Sequence, residues 1–490
     1  MIAGRGQAHN LPGREPGTLI SVATAGRQRR RPDDKQDAMT EQRLIPRDQH
    51  PVSRKQMSGA ALKVLYGLHE AGFQSHLVGG GVRDLLLGGT PKDFDVATDA
   101  TPEEIQQVFR RCRLIGRRFR IAHVRFGNEV IEVTTFRGSG SGDEECEGDR
   151  VVDGDGGRIL RDNVFGTLEE DALRRDFTVN ALYYSIADFA IRDYADGFAD
   201  LQQRQLRLIG DPQQRYREDP VRMLRAARLA AKLDFAIESD TLAPIAELAP
   251  MLDDIPSARL FDECLKLFMT GHARASYLKL EALDLLSHLL PSQTRLSADH
   301  RELVLSALDS TDARVAADKP VTPAFLFAAL LWPAWLSKVG DLGHGIDEDW
   351  LERASSAAET IFATHARRVA LPRRFSGIAK EIWLLQPRLQ QGGVGRARRL
   401  LRHPRFRAAY DFLLLRAAQD PSLAPWVVRW TDAQEPGADM DALFRAAGSR
   451  RDAAGGEEHE TAESTAPAKR RRRRRRRRPG GGRSQGEQAE

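Results

Sequence analysis

Two acidic residues, Asp93 and Asp95, follow a run of three glycines by about a dozen positions. If they lie on a strand, both carboxylates point to one face while Phe94 and Val96 pack into a core. Two carboxylates held so close together repel each other unless a divalent cation lies between them, and Mg²⁺ prefers a few carboxylates together with substrate phosphates. The pair therefore predicts a site for two Mg²⁺ ions, for which Mn²⁺ can substitute.

The glycine run predicts a phosphate-binding turn. His76 to Val78 is short, apolar and β-prone, and helical spacing resumes from Val82, so the order is strand, turn, helix. Glycines such as Gly79 and Gly80 let the backbone approach a phosphate closely, and Arg83 adds a positive charge one turn into the helix. The run lacks the G-x-G-x-x-G spacing of a dinucleotide-binding fold. We expect it to contact a triphosphate.

A third carboxylate for the metal site is expected from the next strand. In the β-rich segment from Glu129 to Phe136, Val130, Glu132 and Thr134 share one face. Glu132 is therefore the candidate ligand. The alternative is an exposed strand carboxylate without a catalytic role.

An arginine pair follows a helix-start signal at residues 167–170. Thr167 and Glu170 form the pattern of a capping box, which predicts a helix carrying Arg174, Arg175 and Asp176. Arginine forks bind phosphates with two hydrogen bonds, although such a cluster is often a surface ion-pair group.

A second charged cluster surrounds Pro220, which predicts a helix start. Glu218, Arg222 and Arg225 then lie within a turn of one another. An acid and a base side by side can pair with the edge of a nucleobase, and an ordinary salt bridge four residues apart is the alternative.

These motifs, GGGVRD, D-F-D, a strand Glu, RRDFTVNAL and REDPVRMLRAAR, occur in one order across residues 75–230. In that order they resemble the class II nucleotidyltransferases, the family that holds tRNA CCA-adding enzymes and bacterial poly(A) polymerases. The resemblance implies that Asp93 and Asp95 hold catalytic metals and that Asp176 is catalytic or ribose-binding, whereas strand geometry favours Glu132 as the third metal carboxylate. It also implies a set of nucleotide contacts: Gly79, Gly80, Arg83, Arg175, Glu218, Asp219, Arg222 and Arg225, of which Glu218, Asp219 and Arg222 resemble the base-reading helix.

Finer features favour the bacterial poly(A) polymerase branch of the family. LIGRRFRIAHV at 114–124 and the segments 255–263, 323–329 and 403–411 are similar to that branch, and the likeness covers about residues 45–430. His123 within the first segment is interpreted as a packed or hydrogen-bonded histidine. The resemblance implies template-independent transfer of AMP from ATP to RNA 3′-hydroxyls by two metals, with release of pyrophosphate. Addition of CCA to tRNA is the alternative within the family, and a non-catalytic RNA-binding protein is the alternative outside it.

Composition sets the outer limits. The 490 residues allow about three domains, and 41% hydrophobic residues suffice for real cores. Nothing approaches 18 consecutive apolar residues and the N-terminus lacks a secretory pattern, so we expect no membrane span. Three scattered cysteines fit a reducing cytoplasm and give no zinc pattern. The expected partners are ATP, RNA 3′ ends and RNA-decay enzymes, and the expected state is a cytoplasmic monomer.

The net charge of +5 hides an uneven distribution. One run supplies ten positive charges, so the remainder of the chain is net negative by five. Ten cations on a flexible segment can bind RNA phosphates without sequence preference, and low-complexity drift or a localisation signal are the alternatives. The predicted RNA-binding run consists of Lys469, Arg470, Arg471, Arg472, Arg473, Arg474, Arg475, Arg476, Arg477 and Arg478.

The fold class expected from these patterns is α+β, with a mixed-sheet nucleotidyltransferase head, an all-α body and a disordered basic tail. Ser53 and Gln56 predict the start of a helix that runs toward Gly72. The loop 138–163, rich in Gly and acid, is expected to be mobile. The predicted divisions are 1–45 disordered, 46–209 catalytic head, 210–290 helical nucleotide and base recognition, 291–435 helical RNA-binding body, and 436–490 disordered tail.

Overall fold

The computed structural model describes residues 42–116, 120–138, 150–152, 159–162, 164–340, 342 and 347–445. Several predictions made from sequence lie outside these ranges. They concern residues 1–41, the centre of the 114–124 segment, most of the loop 138–163, and the basic run 469–478.

The strands are short, and most lie in the first half of the chain. Their bounds are β1 Arg43–Ile45, β2 Ser75–Val78, β3 Asp95–Thr98, β4 Cys112–Ile115, β5 Ile121–Phe126, β6 Glu129–Thr135, β7 Arg150–Val152, β8 Ile159–Asp162, β9 Leu182–Ser185, β10 Ile191–Asp193, β11 Gln205–Leu206 and β12 Ala236–Ile237.

Helices surround these strands and dominate the rest of the described chain. Their bounds are α1 Gly59–Glu70, α2 Gly80–Leu86, α3 Pro102–Val108, α4 Leu168–Arg174, α5 Gly197–Gln202, α6 Pro212–Glu218, α7 Val221–Leu233, α8 Ser239–Leu242, α9 Ile245–Leu248, α10 Ser257–Phe268, α11 Ala273–Ala282, α12 Leu286–Leu289, α13 Ala298–Ala316, α14 Pro323–Val339, α15 Glu348–Ala366, α16 Arg373–Leu389, α17 Val394–Leu401, α18 Phe406–Ala417, α19 Ala424–Asp432 and α20 Met440–Arg445.

A mixed sheet forms the head. Within the described residues its eight strands run in the order β1-β10-β9-β2-β3-β6-β5-β4. Neighbouring strands are antiparallel except for β3 and β6, which are parallel. The parallel register places Asp95 directly opposite Glu132. The predicted α+β class with a mixed-sheet head is therefore confirmed.

One face of the sheet is covered by α1. The apolar side chains of that helix, including Val64 and Leu65, join one buried cluster with Val96 of β3 and Ile131 and Val133 of β6. Because side chains alternate along a strand, burial of Ile131 and Val133 leaves Glu132 on the opposite face. The core thus determines which face carries the predicted carboxylate.

The start of α1 differs from the prediction. Ser53 and Gln56 do form a capping box, but it closes a single 3₁₀ turn at Arg54–Gln56. A second cap at Ser58, whose side chain accepts from Ala61 N, begins α1 at Gly59. The predicted helix is therefore two elements.

The chain divides into two compact units. One comprises the described residues through Trp335 together with Ala358–Ser376, and the other comprises those in Leu336–Ala357 and from Gly377 onward. The second unit has its own aromatic core, in which Trp430 is fully buried and its indole N–H donates to Leu389 O at 2.8 Å. This division falls later in the chain than the predicted boundary at residues 290–291.

Two predicted disordered segments contain ordered residues. β1 lies inside the range 1–45 and pairs with β10, and α20 lies inside the range 436–490. Met440 and Phe444 of α20 are buried in the core of the second unit. Both predictions of disorder were therefore wrong at these residues, because a few apolar side chains at the inner edge of each polar segment pack on the adjacent fold. Among the described helices, none has the length and apolar character required to cross a membrane.

Candidate functional site

The glycine turn lies at the centre of the candidate site. β2 ends at Val78 and α2 begins at Gly80, so the predicted order of strand, turn and helix is confirmed. Gly79 between them has φ +70° and ψ −139°, a conformation that favours glycine. A Cβ built on Gly79 would lie 3.6 Å from Arg175 Nη1 and 3.8 Å from Asp95 Oδ2. The turn therefore brings the backbone beside both a cation and a candidate metal ligand.

Asp93 and Asp95 enclose a buried phenylalanine, as predicted. Phe94 is buried, whereas Asp93 is exposed and precedes β3, which begins at Asp95. Burial raises the pKa of Asp95 to about 6, with Glu132 and Asp93 adding repulsion and Arg175 opposing it. A cation nearby therefore stabilises the charged form of this half-buried carboxylate more than it would stabilise an exposed one.

The fit of these acids to a metal ion can be tested on their arrangement. Among the residues that the structure describes, no three His, Cys, Asp or Glu side chains converge closely enough to form a complete metal site. Asp95 and Glu132 are nevertheless opposite each other across the β3–β6 pair. Mg²⁺ is usually held by one or two carboxylates plus substrate phosphates. The donor set therefore fits a cation whose coordination is completed by a triphosphate, and the two metals remain a prediction.

Asp176 has a different surrounding from Glu132. Its Oδ1 accepts from Phe177 N at 2.8 Å and from Asn180 Nδ2 at 3.2 Å. Its Oδ2 accepts from Arg225 Nε at 2.8 Å and also from the Nη2 of the same guanidinium. Burial disfavours the charge of Asp176, yet Arg225 and these donors lower its pKa to about 2. In this conformation Asp176 fixes Arg225, and Glu132 is more available to a metal.

Arg175 is held at the site by residues that the sequence analysis missed. α4 ends at Arg174, so Arg175 leaves the helix instead of lying on it as predicted. Its Nε donates to Tyr183 Oη at 2.6 Å and its Nη2 donates to Asp171 Oδ2 at 3.0 Å. Tyr183 Oη in turn donates to Asp171 Oδ2 at 2.6 Å. Burial opposes the charge of Arg175, but Tyr183 and Asp171 hold its pKa above the ordinary value. The spacing of four residues between Asp171 and Arg175 was the available signal.

Arg83 is buried, and its polar groups bond to protein. Its Nε and Nη2 donate to Asp84 Oδ1 at 2.8 and 2.6 Å, and its Nη1 donates to Asn180 Oδ1 at 2.5 Å. The opposite oxygen of Asp84 pairs with Lys232 of α7 at 3.0 Å. Arg83 thus connects α2 to neighbouring elements, and its predicted contact with a triphosphate stays a prediction.

The cluster around Pro220 has the predicted helix start, and a second helix ends just before it. α6 ends at Glu218 and α7 begins at Val221. Glu218 Oε2 accepts from Arg222 Nη1 at 3.2 Å, so the salt bridge that was the simpler alternative is present. Asp219 Oδ2 accepts from Arg259 Nη2 at 2.7 Å. These bonds orient the acids without using every acceptor position of their carboxylates.

Arg215 was also missed by the sequence analysis. Its Nη2 donates at 2.7 Å to the carbonyl oxygens of both Arg174 and Arg175, and its Nη1 donates to Glu218 Oε2 at 3.1 Å. Arg215 therefore links the arginine-pair segment to α6. No periodic pattern marks such a contact with backbone carbonyls that are 41 and 40 residues away.

Two cavities contain most of the predicted site residues that the structure describes. A cavity of about 400 Å³ is lined by one group of charged residues: Asp95, Glu132, Asp171, Arg174, Arg175, Asp176, Arg215, Glu218, Asp219, Arg222, Arg225, Arg259 and Glu263. A second, of about 540 Å³, includes Gly80, Arg83, Lys92, Asp93, Asp95, Arg228, Lys232 and His272. Asp95 lines both cavities. Carboxylates beside several arginines suit the transfer of a phosphorus-bearing group between two anionic substrates.

Family models match three parts of the chain. Residues 75–207 match "Poly A polymerase head domain", 234–296 match "Probable RNA and SrmB- binding site of polymerase A", and 347–478 match "Polymerase A arginine-rich C-terminus". The first range contains the carboxylates and the arginine pair, and the last contains the basic run.

Curated relatives agree with these models. Poly(A) polymerase I of Salmonella typhi is 47% identical over 403 residues, which cover 80% of this chain and 85% of the relative. Poly(A) polymerase I of Escherichia coli O6:H1 is 49% identical over 381 residues, which cover 76% of this chain and 81% of the relative. A CCA-adding enzyme of Enterococcus faecalis is 38% identical over 209 residues, covering 43% of this chain and 48% of the relative.

Solved structures support the fold. The Bacillus stearothermophilus CCA-adding enzyme in complex with CTP has a TM-score of 0.53 at 24% identity, covering 80% of this chain and 93% of that one. The Thermotoga maritima CCA-adding enzyme complexed with tRNA has a TM-score of 0.52 at 18% identity, covering 82% and 90%. At these identities the likeness concerns the architecture alone.

Proposed function

This chain belongs to the bacterial poly(A) polymerase I family and is a template-independent polynucleotide adenylyltransferase, and we propose that the transfer takes place at Asp95. The reaction moves AMP from ATP to an RNA 3′-hydroxyl and releases pyrophosphate. One observation carries the assignment of the site. Asp95 lies opposite Glu132 in the sheet and also lines both charged cavities.

Asp93, Asp95 and Glu132 are the carboxylates that would hold Mg²⁺. When bound, two such cations would lower the pKa of the attacking 3′-hydroxyl and neutralise charge on the departing pyrophosphate. No side-chain nucleophile is required. The residues of the chain contribute position and charge instead.

The arginines of the pocket serve the triphosphate. Arg175 lies beside Gly79 at the turn, and Arg225 is fixed by Asp176. Guanidinium groups held in place by partners stabilise phosphate charge without having to reorganise during the reaction. Arg222, with Glu218 and Asp219, is proposed to contact the nucleobase, so that side chains replace a template strand.

The cellular setting follows from the substrates. ATP and RNA 3′ ends are both available in the cytoplasm, which is the proposed location. Addition of a single-stranded tail gives RNA-decay enzymes a place to begin, so these enzymes are the proposed partners of a monomeric protein.

CCA addition to tRNA is the second activity to test, because a CCA-adding enzyme is 38% identical to this chain over 209 residues. That match covers 43% of this chain, whereas the poly(A) polymerase matches cover about 80%. A non-catalytic RNA-binding protein is the third candidate. The presence of Asp93, Asp95 and Glu132 at one site makes it the weakest of the three.

An incorporation assay distinguishes the candidates. Labelled ATP and labelled CTP are supplied separately with Mg²⁺, each with a generic RNA and with a tRNA that ends before CCA. Poly(A) polymerase activity gives long A tracts on the generic RNA and little use of CTP. Addition of C to the tRNA followed by a stop would identify a CCA-adding enzyme, and no incorporation with any pair would identify a binding protein.

A further inference from the structure

The exposed face of the outer strands carries a row of polar side chains that starts at the candidate metal ligands. Asp95 of β3 is opposite Glu132 of β6, Glu132 is opposite His123 of β5, and His123 is opposite Arg113 of β4. His123 Nε2 lies 3.5 Å from Glu132 Oε1. Because neighbouring strands are about 4.8 Å apart, the row extends roughly 14 Å from Asp95 to the edge of the sheet.

A second row lies beside the first on the same face. Val130 of β6 is opposite Arg125 of β5. Arg125 is exposed, and Arg113 is exposed at the edge strand. Val130 is 43% exposed, and Ile115, two residues beyond Arg113, is 41% exposed. This face, defined by Glu132, His123, Arg125, Arg113, Val130 and Ile115, is called the outer face below.

Burial confirms that these side chains point away from the core. The alternate residues Ala122, Val124, Ile131 and Val133 are buried under α1, and Leu114 packs against them. Within the described ranges, Arg113 forms no ion pair with an acid. Arg125 Nε donates to the Gly127 carbonyl at 3.2 Å, which leaves its charge without compensation from an acid. Uncompensated cations beside exposed apolar side chains at the margin of an active site suit an anionic polymer.

We propose that the outer face binds the acceptor strand of RNA, with Arg113 and Arg125 contacting its phosphates and its 3′ end directed along the row toward Glu132 and Asp95. This proposal rests on the proposed function, because it assigns a place to the second substrate of that reaction. The arginines proposed for ATP, Arg175 and Arg225, line the cavity at the other end of the row. The outer face is therefore left for the strand being extended, and Val130 and Ile115 offer apolar surface to riboses and bases.

Charge reversal tests the outer face. Arg113→Glu, Arg125→Glu and the double variant are compared with Arg43→Glu, a matched control in which an exposed arginine on the opposite edge strand, β1, is reversed. The expected result is a KM for a generic RNA primer raised at least tenfold in the double variant. The KM for ATP and the kcat at saturating primer should stay within twofold of wild type, and the control should match wild type throughout.

Salt dependence supplies a second readout with milder variants. For single-stranded nucleic acid, the plot of log affinity against log salt has a negative slope, and each lost phosphate contact reduces the magnitude of that slope by about 0.7. Arg113→Ala combined with Arg125→Ala should therefore reduce the magnitude of the slope by about 1.4. A primer carrying a photoreactive thiouridine near its 3′ end should cross-link to Cys112–Ile115 or Ile121–Phe126.

An unchanged primer KM and salt slope in folded variants, with cross-links elsewhere, would overturn the assignment of the outer face while leaving the adenylyltransferase itself intact. Failure of the wild-type chain to incorporate AMP would instead refute the proposed function. The two failures are thus separated by the wild-type lane of the same assay.

Discussion

Asp95 shows how much a single residue depends on charges supplied by distant parts of the sequence. Its neighbours include Glu132, from the adjacent strand, and Arg175, from the segment after α4. The repulsion from Glu132 and Asp93 is costly without a cation, and the attraction of Arg175 offsets only part of it. The same imbalance creates affinity for a cation and for a triphosphate.

The third metal carboxylate can be identified by exchanging one oxygen for nitrogen. Glu132→Gln should raise the Mg²⁺ concentration needed for half-maximal AMP transfer about tenfold, because it removes a charged ligand beside Asp95. Asp176→Asn should instead raise the KM for ATP, because it releases Arg225. The measurement is a Mg²⁺ titration of initial rate at saturating ATP. The opposite pattern, with Asp176→Asn shifting the Mg²⁺ requirement, would assign the ligand to Asp176.

The position of Arg175 is predicted to depend on a tyrosine hydroxyl. Tyr183→Phe removes the acceptor for Arg175 Nε and one donor to Asp171, a loss of about 1 kcal/mol, so the KM for ATP should rise about fivefold with little change in the KM for RNA. Tyr184→Phe alters the next residue of the same strand and is the control. Equal effects of the two variants on ATP binding would show that only packing of β9 matters.

At the scale of elements, the sequence predicted the alternation of side chains along strands and the positions of turns, but it did not predict which strands pair. The sequence analysis placed Glu132 on one face of its strand, and it placed the turn at Gly79 and the helix start after Pro220. It could not place Glu132 opposite Asp95, because the parallel register of β3 and β6 depends on packing beneath α1. It kept Arg175 on a helix because charged residues do not mark where α4 ends.

Short elements were missed for the same physical reason. β1 and α20 have few residues, and their stability comes from pairing with β10 and from burial of Met440 and Phe444. Local propensity in such short segments is weak, and tertiary contacts decide their structure.

The central strand β2 makes folding sensitive to acid. Burial lowers the pKa of His76 in the folded state from its ordinary value of 6.5 to about 4, and Arg192 adds to the effect. The unfolded chain therefore binds the proton first as pH falls, and this contribution to stability is lost from pH 6.5 toward 4. Between pH 7 and 5 the loss should be about 2 kcal/mol, measured by urea unfolding.

The variant His76→Leu should lose less stability over that interval than the wild type does. His69→Leu, at an exposed position of α1, is the control, and its free energy of unfolding should fall between pH 7 and 5 as much as that of the wild type. An equal loss in His76→Leu and wild type would show that β2 does not carry this acid sensitivity.

At the scale of the whole molecule, we predict that different parts of the chain supply the chemical step and much of the affinity for RNA. The basic run at 469–478 lies outside the described residues, and its ten charges are known from the sequence alone. Deleting residues 465–490 should lower RNA affinity and processivity at moderate salt while sparing the chemical step. The negative slope of log RNA affinity against log salt should become shallower, by no more than about 7 if all ten residues contact phosphates.

A matched variant keeps the length of the tail and replaces the ten basic residues of 469–478 with Gln. It should behave like the deletion if charge is responsible. An unchanged salt slope in both variants would show that the tail does not contact RNA phosphates.

Transfer of labelled AMP to a generic RNA by Asp95→Asn and Asp93→Ala tests most directly whether the chemistry takes place at this pair. AMP addition should fall by at least about 100-fold in both variants, while RNA binding measured by fluorescence anisotropy stays close to wild type. Asp99→Asn, at an exposed position just after β3, is the control and should retain activity. AMP addition at the wild-type rate in either Asp95→Asn or Asp93→Ala would contradict the assignment.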